Sequence, residues 1–152
     1  MRVRSAFPRS RGRIIVQDLP QVTNKITTAS LPDVEIMDHD MADPQPVKGA
    51  RVYYLRGVLH NHADHISIKY LSQFAAAMSP ESRLLIHEAL ATDLNPTKNI
   101  TRFDLSMLAS CGGAQRSEAE QKALLEKVGL EVSGVWSTPR DWSIMEARLK
   151  RE

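Results

Sequence analysis

The chain has 152 residues, enough for one domain with its own core and too few to expect two. Hydrophobic residues make up 42% and charged residues 25%, ordinary globular usage that excludes a disordered or collagen-like chain. Lys plus Arg number 20 and Asp plus Glu 18, a formal charge of +2 that gives no general electrostatic reason to bind nucleic acid or an acidic membrane.

Cys111 is the one cysteine, which excludes an internal disulfide and a cysteine-based zinc site and suits a reducing cytoplasm. No apolar run approaches the ~20 residues that span a bilayer. Basic residues open the chain at Arg2, Arg4, Arg9, Arg11 and Arg13 with no apolar stretch behind them, so no secretory signal is expected. Arg and Ser without acids there faintly resemble an organelle transit peptide. The simpler reading is a solvated basic helix face leading into a strand.

The predicted elements alternate. Arg13 to Gln17 is a short β-branched run bounded by Gly12 and by Asp18-Leu19-Pro20, and reads as a buried strand. Val34 to Met37 is a second strand, entered through Leu31-Pro32-Asp33, and Pro44 and Pro46 mark a loop. Arg51 to Leu55 is a third. Asp64 to Met78 is helical, with Leu71, Phe74, Ala75 and Met78 on one face and Pro80 as its stop. Arg83 to His87 is a fourth strand, and its continuous Leu84-Leu85-Ile86 suits a parallel sheet covered on both faces.

Ile100 to Ser110 reads as a helix with Phe103, Met107 and Leu108 on a face, ended by Cys111-Gly112-Gly113. Ser117 to Val128 is a helix with Ser117 as N-cap, Glu120 completing a capping box, and Gly129 as the stop. Glu131 to Trp136 and Trp142 to Ala147 read as closing strands joined by a turn at Pro139. The β-α-β alternation indicates an α/β sheet sandwich in a single domain over residues 1–152.

His60-Asn61-His62-Ala63-Asp64-His65 spells H-x-H-x-D-H, which resembles the metal signature of metallo-β-lactamase-like hydrolases. Imidazoles and a carboxylate so clustered could hold zinc and activate water. That family needs further ligands downstream, and His87 is the only later histidine. No metal site is therefore assigned. Zinc hydrolysis through His60, His62, Asp64 and His65 stays as a distant alternative to solvated residues opening a helix.

A second similarity runs nearly end to end. It is carried by Gly12-Arg13-Ile14-Ile15-Val16-Gln17-Asp18-Leu19-Pro20, by Asp38-His39-Asp40-Met41, and by the stretch Pro46 to Arg56. Val58-Leu59-His60-Asn61, Ser82-Arg83-Leu84-Leu85-Ile86-His87-Glu88 and Gln115-Arg116-Ser117-Glu118 follow in order. Together these pieces resemble the C-terminal part of the fungal and plant small-molecule O-methyltransferases, class I enzymes that use S-adenosylmethionine.

The resemblance implies an incomplete Rossmann-like α/β sheet. Strands near 13–17, 34–38, 51–56 and 83–88 should be parallel and the two C-terminal strands antiparallel. It implies cofactor contacts by Asp18 to the ribose, by Asp40 and Met41 at the adenine, and by Arg56 beside the cofactor. It assigns His60 as catalytic base, Glu88 as the carboxylate that orients it, and Gln115 as a third catalytic position. Asn61-His62 stands where the family usually has Asp-Trp, and Gln115 where it usually has Glu. The likeness begins at about Val3 to Pro8, past the glycine-rich cofactor turn. Weak S-adenosylmethionine binding is therefore expected, with open edges on the strands at 13–17 and 51–56.

The implied substrate is a small phenolic or polyketide hydroxyl of secondary metabolism. The alternatives are a partner-binding relic, associating with itself or a full-length methyltransferase, and a cofactor-independent cyclase or isomerase using His60 as acid or base.

Overall fold

The computed structural model describes residues 6, 11–26, 31, 33–92, 97–137 and 142–151. These fall into two compact units, residues 1–43 and 44–152.

In the first unit, β1 (Ile15–Asp18) runs parallel to β2 (Glu35–Asp38), with Ile15 opposite Glu35 and Asp18 opposite Asp38. The Arg13 guanidinium grips Glu35 through two hydrogen bonds of 2.7 and 2.6 Å. A short helix, α1 (Pro20–Thr23), follows β1 with Pro20 in its first turn, where a missing N–H costs nothing. Thr23 Oγ1 donates to Asp38 Oδ1, tying α1 to the end of β2.

In the second unit a four-stranded sheet has the order β3-β4-β6-β5. β3 (Val52–Arg56) and β4 (Arg83–Ala89) are parallel. β6 (Trp142–Leu149) is antiparallel to both β4 and β5 (Leu130–Ser137). α2 (Asp64–Ala75) links β3 to β4, and α3 (Lys98–Cys111) and α4 (Glu118–Glu126) lie between β4 and β5. The core sits on one face of this sheet. Tyr53, Leu55, Leu84, Ile86, Met145 and Ala147 are buried there, together with Leu71 and Phe74 of α2 and Leu124 and Leu125 of α4. Each such large side chain contributes about 1.5–3 kcal/mol of transfer free energy.

Several expectations hold in type and shift at their ends. The Ser117 capping box is present in both directions, with Glu120 N donating to Ser117 Oγ and Ser117 N to Glu120 Oε2. α3 starts at Lys98 because Thr97 Oγ1 accepts from Ile100 N, and it ends where Gly112 takes the left-handed conformation. α2 stops at Ala75, short of Met78, and the chain turns before Pro80.

Two expectations are corrected. The four parallel strands do not share one sheet, because the ladders divide into β1-β2 and β3-β4-β6-β5. A sheet continues only where both edges of a strand are paired, and among the described residues β3 is paired on one edge alone. Second, the sheet is not covered on both faces: Tyr54 and Val52 are about half exposed on the face opposite the core. Within α3, Ile100 is the buried residue, while Phe103 and Leu108 are exposed. The turn at Pro139 and the segment around Val3-Arg4-Ser5 lie outside the described residues.

Candidate active site

His60 enters on a single 3-10 turn, Leu59–Asn61, one residue beyond Gly57-Val58 at the end of β3. Gly57 makes the change of direction with φ +61, a conformation glycine adopts without strain. The turn buries His60 to 7% exposure and sets it against the end of β4. There Nδ1 lies 3.0 Å from Glu88 Oε2.

Glu88 itself is 4% exposed. Its Oε1 accepts from Val58 N and Leu59 N, each at 2.9 Å, so the carboxylate is fixed before it meets the ring. A carboxylate only accepts, so it selects the tautomer with the proton on Nδ1 and leaves Nε2 with a lone pair. Nε2 meets no hydrogen-bonding group among the described residues. Phe103 and Trp142 stand edge-on to the imidazole, with centroids at 5.4 and 6.4 Å.

Gln115 Nε2 stands 3.2 Å from the same Nδ1, while Gln115 Oε1 and Glu88 Oε2 are buried without a well-aligned donor. The recess that these groups line with Gln121 has no room for a water molecule. A half-turn of the Gln115 amide would bring its unpartnered oxygen to the Nδ1 proton. The sequence-assigned trio of His60, Glu88 and Gln115 is thus assembled around one ring nitrogen.

The other histidines of the H-x-H-x-D-H string go elsewhere. His62 is half-buried edge-on to Tyr70 at 5.0 Å, His65 is exposed, and Asp64 Oδ1 accepts from Arg116. Among the described residues no three His, Cys, Asp or Glu side chains gather as metal ligands. Burial pushes the His62 imidazole below its ordinary pKa, and the Arg116 guanidinium adds to this. His87 is also pushed down, first by burial and then by Arg56, with Glu88 opposing. It accepts or donates at Nδ1 to Tyr54 Oη at 2.8 Å and packs edge-on to Trp142.

In the first unit, Asp18 and Asp40 are exposed near the C-terminal ends of β1 and β2. Asp18 Oδ1 accepts from Leu19 N and Asp40 Oδ1 from Ala42 N, both at 2.8 Å, while Met41 is half-buried. His39 Nε2, between them in sequence, is buried without a hydrogen-bond partner among the described residues. In the second unit, Arg56 is exposed at the end of β3 with its guanidinium 5.4 Å above the Trp142 ring.

Two residues escaped the sequence reading. Arg116 was legible only as part of a motif, yet it is 6% exposed and binds the turn that carries His60. Gly113 read as a helix stop. Its Cα lies against the same turn, where a Cβ would collide with the His60 carbonyl oxygen.

Comparison with known proteins places this geometry in a family. The O-methyltransferase domain model matches residues 1–131. The demethylsterigmatocystin 6-O-methyltransferase stcP of Emericella nidulans is 42% identical over 130 residues, covering 86% of this chain and 63% of that protein. A solved structure described as a pericyclic reaction enzyme superposes with TM-score 0.92 at 31% identity, covering 98% of this chain and 39% of that one. OxaC in complex with SAH and oxaline superposes with TM-score 0.90 at 37% identity, with the same shares. The chain therefore spans less than two thirds of each of these proteins. With a family match over residues 1–131 and the expected α/β elements in order, this chain belongs to the O-methyltransferase domain family.

Proposed function

We propose that the chain is part of an S-adenosylmethionine-dependent O-methyltransferase of secondary metabolism, acting on a phenolic or polyketide hydroxyl with His60 as general base. The observation that carries this is the buried His60 whose Nδ1 faces Glu88 at 3.0 Å while Nε2 meets no hydrogen-bonding group among the described residues. A phenol of pKa ~10 is a poor nucleophile until it loses its proton. An imidazole, ordinarily near ~6.5, can take that proton at neutral pH. Glu88 then faces the imidazolium and stabilises it, as the orienting carboxylate of a catalytic triad does. Gln115 shares in holding the ring and adds no charge.

The residues present fit the cofactor's nucleoside. Exposed carboxylates near the C-terminal ends of adjacent parallel strands can accept from ribose hydroxyls, as Asp18 would, and from an adenine amine, as Asp40 would. Met41 would pack beside the adenine; a place beside the cofactor for Arg56, in the second unit, rests on the resemblance alone. When bound, S-adenosylmethionine supplies a methyl group activated on a sulfonium. This chain's own task is to bind it, orient the acceptor and move one proton to Nε2. The names of stcP and of the oxaline-bound OxaC support a small-molecule acceptor.

A second reading is cofactor-independent cyclisation or isomerisation at the same His60. It is favoured by the similarity to the structure described as a pericyclic reaction enzyme. Incubating the chain with phenolic polyketides, with and without S-adenosylmethionine, separates the two by mass spectrometry. A methyl ether formed only with the cofactor supports methyl transfer. A rearranged, unmethylated product formed without it supports the second reading, and neither product overturns both.

A further inference from the structure

We propose that Arg116 is a positioning residue for His60, acting through the carbonyl groups of Leu59 and His62 on either side of it. The inference rests on His60 being the base of the proposed reaction, and it adds a residue to that site.

The guanidinium is 6% exposed and its donors converge on one short segment. Nη1 donates to Leu59 O at 2.9 Å, and Nη2 donates to His62 O at 2.7 Å and to Ser67 Oγ at 3.3 Å. Nε donates to Asp64 Oδ1 at 3.0 Å. Leu59 O already accepts from His62 N at 3.1 Å and takes Arg116 as a second donor, while His62 O, just past the turn, has no partner within it and finds one in Arg116. A planar fork with fixed donor directions can hold two carbonyl groups at once, which a point charge on a flexible stem cannot.

The amide end of the same turn is held by Glu88, which accepts from Val58 N and Leu59 N. His60 is therefore gripped from both sides: an anion on the N–H groups before it and a cation on the C=O groups around it. The two grips share a frame. Ala91 N donates to Arg116 O at 2.9 Å, and Ala91 and Ser117 form a bridge just beyond the end of β4. Arg116 also follows Gln115, the residue whose amide reaches Nδ1. A loosened turn would let the ring leave Glu88 and would relax the choice of tautomer.

The test reads that tautomer directly in the 152-residue chain, by nitrogen NMR of the His60 ring. Wild type is expected to hold its proton on Nδ1. Arg116→Lys and Arg116→Met are expected to show both tautomers in comparable amounts, whereas Asp64→Asn, which leaves both carbonyl contacts in place, keeps the wild-type tautomer. Folded Arg116 variants with an unchanged tautomer would overturn the proposal, as would a tautomer shift in Asp64→Asn equal to theirs.

If the Arg116 variants fail to fold, the wild-type guanidinium decides. Slowed Nη rotation with scalar coupling across the bonds to Leu59 O and His62 O supports the grip, and free rotation overturns it. Where methyl transfer is measurable, kcat should fall about 10–100-fold with KM within about twofold. An altered tautomer with unchanged kcat would leave the grip standing and count against His60 as the base.

Discussion

Gly113 lies so close to His60 that one added carbon would collide with the His60 carbonyl oxygen and stand 2.7 Å from the Asn61 carbonyl carbon. The end of α3 is thereby pressed onto the turn that presents the imidazole. Gly113→Ala must push that turn away, which costs about 1–3 kcal/mol of overpacking. Gly112→Ala meets no atom but forces alanine into φ +67, and should cost about 1 kcal/mol without moving His60. Chemical denaturation with the His60 ring resonance checks both. Equal displacement of that resonance in the two variants would contradict the contact.

Mild acid should weaken the fold. His87 and His62 have pKa values lowered from the ordinary 6.5, in both cases first by burial. The unfolded chain therefore binds protons more readily than the folded one. The stability these groups contribute is present above about pH 6.5 and is lost as pH falls through their lowered folded values. Both rings are partly solvated, so the effect is small, roughly 2–4 °C in Tm between about pH 7.5 and 5.5. His87→Gln should flatten the profile, and a wild-type Tm that rises on acidification in this range would contradict the sign.

The outer edge of β3 should recruit other chains. Among the described residues its N–H and C=O groups on that side pair with no strand, and Val52 and Tyr54 are exposed beside them. Open, apolar strand edges associate. Size-exclusion chromatography with light scattering is expected to show self-association of the 152-residue chain, reduced in Val52→Lys/Tyr54→Lys. A thermally stable monomer at all concentrations would contradict it.

Much of this was legible in local sequence. Ser117 and Glu120 announce the start of α4 because both capping partners lie three residues apart on the chain. His60 and Glu88 were assigned through resemblance, and the fold brings them to 3.0 Å. What stayed hidden depends on distant contacts. Leu105 and Leu108 carry a helical apolar pattern, yet they face solvent because periodicity reports a face and not what covers it. Arg116 reads as an ordinary charge, since nothing local shows that its donors end on carbonyls more than fifty residues away. Gly113 reads as a helix terminator, because its close approach to His60 exists only in three dimensions.

His60, held by Glu88, is the proposed base for methyl transfer. Transfer of labelled methyl from S-adenosylmethionine to a phenolic polyketide tests that role most directly, in wild type, His60→Gln and Glu88→Gln. Glu88→Gln can still accept from Val58 N and Leu59 N, but its amide can donate to Nδ1 and so stabilises the wrong tautomer. Wild type should transfer measurably, His60→Gln should show nothing above background, and Glu88→Gln should lose about 10²–10⁴-fold. Equal transfer by all three proteins would contradict that role.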